Sequence, residues 1–192
     1  RWQTQNNQSQ KSEEKLKYNP EIHHRKSIRL KDYDYSKEGL YFITICTQNR
    51  ENLFGEIINK NVGAGSSYPN IELTKIGEII KNQYFELEKH FDNIRCNEYV
   101  IMPNHFHFII EIIEGGKTPP LHKSKLGNII GYFKYQTTKE YNELMDVKNE
   151  KYLKLWQRNY YENIIINDEI HQKVIEYIEK NPLKWEEDKY YK

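Results

Sequence analysis

The sequence predicts an α+β layer: an antiparallel sheet with two helices on one face, in the ferredoxin-like or RRM-like manner, and one extra helix at the C-terminal end. Three observations lead there. Short β-branched and aromatic runs alternate with longer stretches whose apolar residues recur at helical spacing. Two strand-like runs in the middle of the chain are separated only by Pro103-Asn104, the mark of a hairpin. With an N-terminal strand pair counted as one unit, the order is β-β-α-β-β-α-β-α, which suits an antiparallel or mixed sheet with helices packed on one side.

Residues 1–20 are rich in Gln, Asn, Ser and Lys without periodicity and read as a flexible polar tail. Residues 21–192 then form a single domain, of a size that closes one core. Residues 22–38 are a basic, aromatic lead-in. Residues 40–47 (Leu-Tyr-Phe-Ile-Thr-Ile-Cys-Thr) are a strand by composition. Residues 54–58 and a short segment near Ile71 form a second strand pair, with the Gly-Ala-Gly-Ser-Ser run at 63–67 as a turn between them. Ile76, Ile79, Ile80, Tyr84 and Leu87 lay an apolar stripe along a helix over 73–89. Residues 94–102 and 105–113 are the central strands. Ile129, Ile130, Phe133, Thr137 and Tyr141 give a second helix over 126–144 its inner side. Residues 156–166 contain another strand. A third helix spans 168–181 and stops at Pro182.

The net charge of +1 lacks the strong basic excess of many nucleic-acid binders. Lysines are segregated, however. Lys117, Lys123, Lys125, Lys134 and Lys139 occur between 115 and 139 with no acidic residue, and bases outnumber acids between 11 and 31. Such segregation permits a basic face along a phosphate backbone. Cys46 and Cys96 lack CxxC spacing and read as buried structural thiols. No apolar run reaches membrane-spanning length and the start lacks a signal-peptide core, so the expected location is cytoplasmic and nucleoid-associated.

The chemistry concentrates in Tyr-Val-Ile-Met-Pro-Asn-His-Phe-His-Phe at 99–108. In a strand, residues i and i+2 share a face. His105 and His107 therefore leave one side of the sheet together, and Phe106 and Phe108 leave the other. Two imidazoles on one face can share a divalent metal. A water-activating metal hydrolase would also want an acid nearby, as in HExxH or HxHxD, and neither pattern is present. On the third helix Ile170, Val174, Tyr177 and Asn181 fall in one stripe at 100° per residue, with Tyr177 and Asn181 neighbours at i and i+4. Asn is a poor residue for the inner side of a helix, although a place before Pro182 also suits a helix end.

His105-Phe106-His107 after Val-Ile-Met-Pro-Asn resembles the HUH motif of single-tyrosine nucleases. Tyr177-Ile-Glu-Lys-Asn181-Pro182-Leu-Lys-Trp185, preceded by Trp156-Gln-Arg-Asn-Tyr-Tyr-Glu-Asn, resembles the C-terminal block of single-tyrosine HUH transposases, and more narrowly of the REP-associated tyrosine transposases. Arg29-Leu-Lys-Asp-Tyr-Asp-Tyr through Tyr41-Phe-Ile-Thr-Ile-Cys-Thr-Gln-Asn-Arg50 is similar to their N-terminal block. The similarity spans about residues 25–185. It implies a metal-dependent single-stranded DNA endonuclease and strand transferase acting on hairpin-forming repeats through a covalent 5′-phosphotyrosine. It implies His105, His107 and Asn181 as ligands of Mg²⁺ or Mn²⁺. Tyr177 is the implied nucleophile, carried by the extra helix, with Tyr161 second in line. Relatives occur as monomers and as homodimers. For the DNA itself, the basic and aromatic residues Lys26, Arg29, Lys31, Tyr33, Tyr35, Lys123, Lys125, Lys134, Tyr135 and Arg158 are the expected contacts, by phosphate pairing and base stacking. A non-catalytic single-stranded nucleic-acid binder on an RRM-like sheet would need those residues but not the histidines.

Overall fold

The computed structural model describes residues 34, 37–58, 70–113, 126–147 and 152–191, all within the unit Asp32–Lys192. Strands β1 (Gly39–Cys46), β4 (Ile94–Met102), β5 (His105–Ile112) and β6 (Tyr161–Ile165) form a sheet in the order β4-β5-β1-β6. Every neighbouring pair is antiparallel. Strands β2 (Gly55–Ile58) and β3 (Asn70–Leu73) pair separately. Three helices follow the predicted positions: α1 (Lys75–His90), α2 (Leu126–Leu144) and α3 (Asp168–Lys180).

Register decides what each face of the sheet carries. Ile45 lies opposite Phe106, Ile43 opposite Phe108 and Tyr41 opposite Ile110. Cross-strand partners share a face, so these six cover one side. There α1 adds Ile80, Tyr84 and Leu87, and α2 adds Leu126, Ile129, Ile130 and Phe133, to make the main core. The opposite side carries Cys46 opposite His105, Thr44 opposite His107 and Phe42 opposite Ile109. There α3 packs through a small cluster of Phe42, Ile109, Ile165 and Ile178 with Ile170 and Val174 at its edge. The two faces thus divide the labour: one holds the fold together, and the other holds the histidines under α3 and the segment that follows it.

Local chemistry sets the joints. Thr74 caps α1 by accepting from the Gly77 N–H at 3.1 Å, and Asn167 caps α3 by accepting from the Ile170 N–H at 2.9 Å. The ladder between β4 and β5 slips between Cys96 and Tyr99, so Ile109 faces no β4 residue. The buried Tyr84 hydroxyl donates to the Ile109 carbonyl at 2.7 Å and so replaces the missing ladder bond. The Pro103-Asn104 turn is fixed by its carbonyls, which accept from Phe54 N (3.0 Å) and Thr47 N (2.9 Å).

One boundary differs from expectation: the third helix ends at Lys180 rather than Asn181. Asn181–Glu187 continues as a 3₁₀ stretch with Pro182 in its first turn, where its missing N–H is no loss. The strand expected within 156–166 is β6, while Trp156 forms a bridge with Thr47 and donates its indole N–H to Thr137 Oγ1 at 2.7 Å. Both cysteines are free thiols, and burial pushes Cys46 up to about 11 and Cys96 up to about 12. Among the described residues no helix is long and apolar enough to cross a membrane. The 1–20 tail and the glycine-rich 63–67 run lie outside the described residues.

Candidate functional site

His105 and His107 stand side by side on β5, with ring centroids 4.5 Å apart, and both are fully buried. Both have side-chain partners, and that of His105 sets its tautomer. Asn104 Nδ2 donates to the carbonyls of Tyr190 (2.8 Å) and Arg50 (3.4 Å), which turns Asn104 Oδ1 toward His105 Nδ1 at 2.9 Å. The His105 Nδ1–H therefore donates, and His105 Nε2 is left as a bare lone pair. That atom is buried and meets no hydrogen-bond partner among the described residues. His107 Nδ1 lies 2.7 Å from Thr44 Oγ1. Its Nε2 lies 3.2 Å from the Tyr177 hydroxyl.

Helix α3 delivers that hydroxyl. The Tyr177 ring meets Phe42 edge-on at 5.9 Å and His107 at 5.2 Å, while 40% of the residue remains exposed. One turn on, Asn181 is buried, its Nδ2 donates to Asp188 Oδ2 at 3.1 Å, and its Oδ1 is a second buried atom that meets no hydrogen-bond partner among the described residues. The segment after the 3₁₀ stretch then folds back over the histidines. The Tyr190 ring lies tilted against His105 with centroids 4.6 Å apart, and its backbone N–H donates to Asp188 Oδ1 at 2.7 Å. Ligand atoms of His105, His107 and Asp188 all lie within 4.8 Å of one another. The acid that no local motif supplied is brought in by the fold, 81 residues beyond His107.

The electrostatics suit a cation. Burial pushes His105 down to about 3, with Lys189 and Arg50 adding to the effect, and burial likewise holds His107 well below its usual range. Both imidazoles are therefore neutral at physiological pH, the form that ligates metal. Burial and the Asp188 carboxylate push the Tyr177 phenol up to about 12, against the Asn181 amide. The phenol stays protonated until positive charge arrives beside it. Two neutral imidazoles, the orphaned Asn181 carboxamide oxygen and a carboxylate form a donor set that fits a divalent ion. A cleft of about 530 Å³ opens beside Tyr177, edged by Lys173, Lys180, Lys184 and Lys189 against Glu176, Glu187 and Asp188.

The other expected site residues are scattered. Tyr161 on β6 lies opposite Thr44 and so on the histidine face, but its ring packs 6.2 Å from Tyr190, and no described contact joins it to either histidine. The Lys134 ammonium is engaged by loop carbonyls. It donates to the carbonyls of Gln157 (2.9 Å) and Asn159 (2.9 Å), with Arg158 O at 3.5 Å, and burial pulls it down to about 8. Tyr135 is exposed on α2, across the sheet from the histidines, and Arg158 is exposed in the loop before β6. Lys26, Arg29, Lys31, Tyr33, Tyr35, Lys123 and Lys125 lie outside the described residues. Sequence reasoning missed Thr44, Asn104, Asp188 and Tyr190. Thr44 and Asn104 had a signal, since each is a polar residue inside an apolar strand pair.

No protein-family model matches the chain. An uncharacterized protein of Haemophilus influenzae is 41% identical over 189 residues, covering 91% of this chain and 97% of its own length. The chain belongs to one family with that protein. Among solved structures, a REP-associated tyrosine transposase bound to a REP hairpin superposes with a TM-score of 0.53 at 18% identity, over 81% of this chain and 73% of that one. The fold is that of a REP-associated tyrosine transposase. In this tyrosine-transposase fold the β5 histidines and α3 are the elements that make up the candidate site.

Proposed function

We propose that the chain is a metal-dependent single-stranded DNA endonuclease and strand transferase, acting on hairpin-forming repeats through a covalent 5′-phosphotyrosine. The observation that supports it most is the meeting of α3 with β5: the Tyr177 hydroxyl 3.2 Å from His107 Nε2, beside the orphaned Nε2 of His105. His105 and His107 would hold Mg²⁺ or Mn²⁺, with the Asn181 carboxamide that the resemblance implies as a third ligand. When bound, the ion supplies positive charge for the scissile phosphate and for the phenolate. Asn104 and Thr44 fix the two imidazoles from behind. Tyr177 gives its phenolic proton to solvent and its Oη forms a bond to phosphorus. The P–O3′ bond breaks and the departing O3′ takes up a proton from solvent, leaving a free 3′-hydroxyl and a DNA 5′ end on the protein. A 3′-hydroxyl from another strand reverses the step, which makes the chemistry a joining reaction as well as a cut. The lysine-edged cleft beside Tyr177 suits a flexible single strand better than a rigid duplex, and the REP hairpin bound by the solved transposase supports hairpin DNA as the partner.

The test is cleavage of an end-labelled hairpin with a single-stranded flank, in Mn²⁺, run on a denaturing gel. The proposal predicts a shifted protein–DNA band that Tyr177→Phe abolishes and Tyr161→Phe retains. One observation favours a second reading. Asp188 beside the histidines could serve a hydrolase that activates water. That enzyme would release free ends with no shifted band and would survive Tyr177→Phe.

A further inference from the structure

We propose that Asp188 is an anionic ligand of the divalent ion, and that Asn181 is the residue that positions it. This rests on the metal-dependent reading above and changes the make-up of the ligand set. Two donors on one ion stand at most about twice a metal–ligand bond apart, about 4.3 Å. The donor atoms of His105, His107 and Asp188, all within 4.8 Å of one another without an ion, are already close to that limit.

The carboxylate is also aimed. Oδ2 accepts from Asn181 Nδ2 and Oδ1 from the Tyr190 N–H. Each oxygen can accept more than one bond, so both keep a lone pair after these contacts. An acid gripped on both oxygens beside a buried, partnerless imidazole nitrogen has the outer-shell support usual for a metal ligand. Asn181, in turn, spends one of its two N–H bonds on Asp188.

Chemistry gives the carboxylate a distinct consequence. With two imidazoles and an amide the site keeps the full double charge of the ion; with Asp188 it keeps one unit. A carboxylate also biases the site toward Mg²⁺ and Mn²⁺ over softer ions. It further ties the segment after α3 to the sheet when metal binds.

The experiment is titration of the full chain with Mn²⁺ alone, followed by electron paramagnetic resonance, together with the visible absorption of the Co²⁺ form. Asp188→Asn keeps the volume and one acceptor oxygen, and metal-free melting verifies that each variant folds. We expect Asp188→Asn to bind Mn²⁺ at least 30-fold more weakly than wild type and to change the positions and intensities of the Co²⁺ bands. Asn181→Ala should weaken binding less, with the Co²⁺ bands retained. If wild type binds no Mn²⁺, the metal-dependent reading itself falls. If wild type binds, and Asp188→Asn matches it within threefold with the same Co²⁺ spectrum, that reading stands and the assignment of Asp188 is overturned.

Discussion

Replacing Asn104 with alanine should damage both the fold and the metal site, by amounts that follow from its contacts. The side chain is fully buried in the β4–β5 turn. It makes two good hydrogen bonds, to His105 Nδ1 and the Tyr190 carbonyl, and a longer third to the Arg50 carbonyl. At about 1 kcal/mol for each good bond, plus the cost of leaving buried partners unsatisfied, the loss is about 2–3 kcal/mol. For a chain of this size that lowers Tm by roughly 5–10 °C. The functional effect is separate. Without Asn104 Oδ1 the His105 Nδ1–H loses its acceptor, and the proton is no longer held on the far side of the ring. Removal of such a partner typically costs 10–100-fold in metal affinity. Differential scanning calorimetry gives the first number and Mn²⁺ titration the second. An Asn104→Ala protein that melts within a degree of wild type and binds Mn²⁺ equally well would refute the reasoning that this amide sets the tautomer and anchors the turn.

Three further outcomes follow from the geometry. The folded-state value of His105 lies near 3 against an ordinary 6.5, and that of His107 is also depressed. Below pH 6.5 the unfolded chain takes up protons that the native state refuses, so stability falls as the pH falls; a His105→Gln protein should lose up to about 2.5 kcal/mol less than wild type between pH 7 and pH 4.5 in urea unfolding, and equal losses would contradict this. A Cβ at Gly77 would stand 2.1 Å from the Phe54 carbonyl oxygen, whereas nothing lies within 4 Å of one at Gly131; Gly77→Ala should cost at least about 2 kcal/mol and Gly131→Ala should gain about 0.5–1 kcal/mol in thermal melts. Lys134→Met frees the three loop carbonyls before β6 and should lower stability by about 2–3 kcal/mol, with hairpin affinity in a filter-binding assay changed less than twofold.

Much of this architecture could be read from the residues because strand parity and helix periodicity are local. The alternation in His105–Phe106–His107–Phe108 put the imidazoles opposite the main core, and the register with β1 bears that out. The Ile170–Val174 stripe placed α3 on the sheet, with Ile178 as its most buried member. Asp188 was illegible for a physical reason: it follows a 3₁₀ stretch that has no periodicity, and only tertiary folding carries it 81 positions back to the histidines. The carbonyl contacts of Lys134 were illegible because nothing local announces three carbonyls waiting in a distant loop. Asn181 combined two pressures, a helix end before Pro182 and a buried amide gripping an acid, and the sequence alone could not separate them.

The most direct measurement is to map the covalent link. After reaction with a hairpin oligonucleotide in Mn²⁺, the protein would be digested and its nucleotide-bearing peptide sequenced by tandem mass spectrometry. The account predicts a nucleotide 5′-phosphate on Tyr177. A phosphate on Tyr161, or cleaved DNA with no modified peptide, would contradict it.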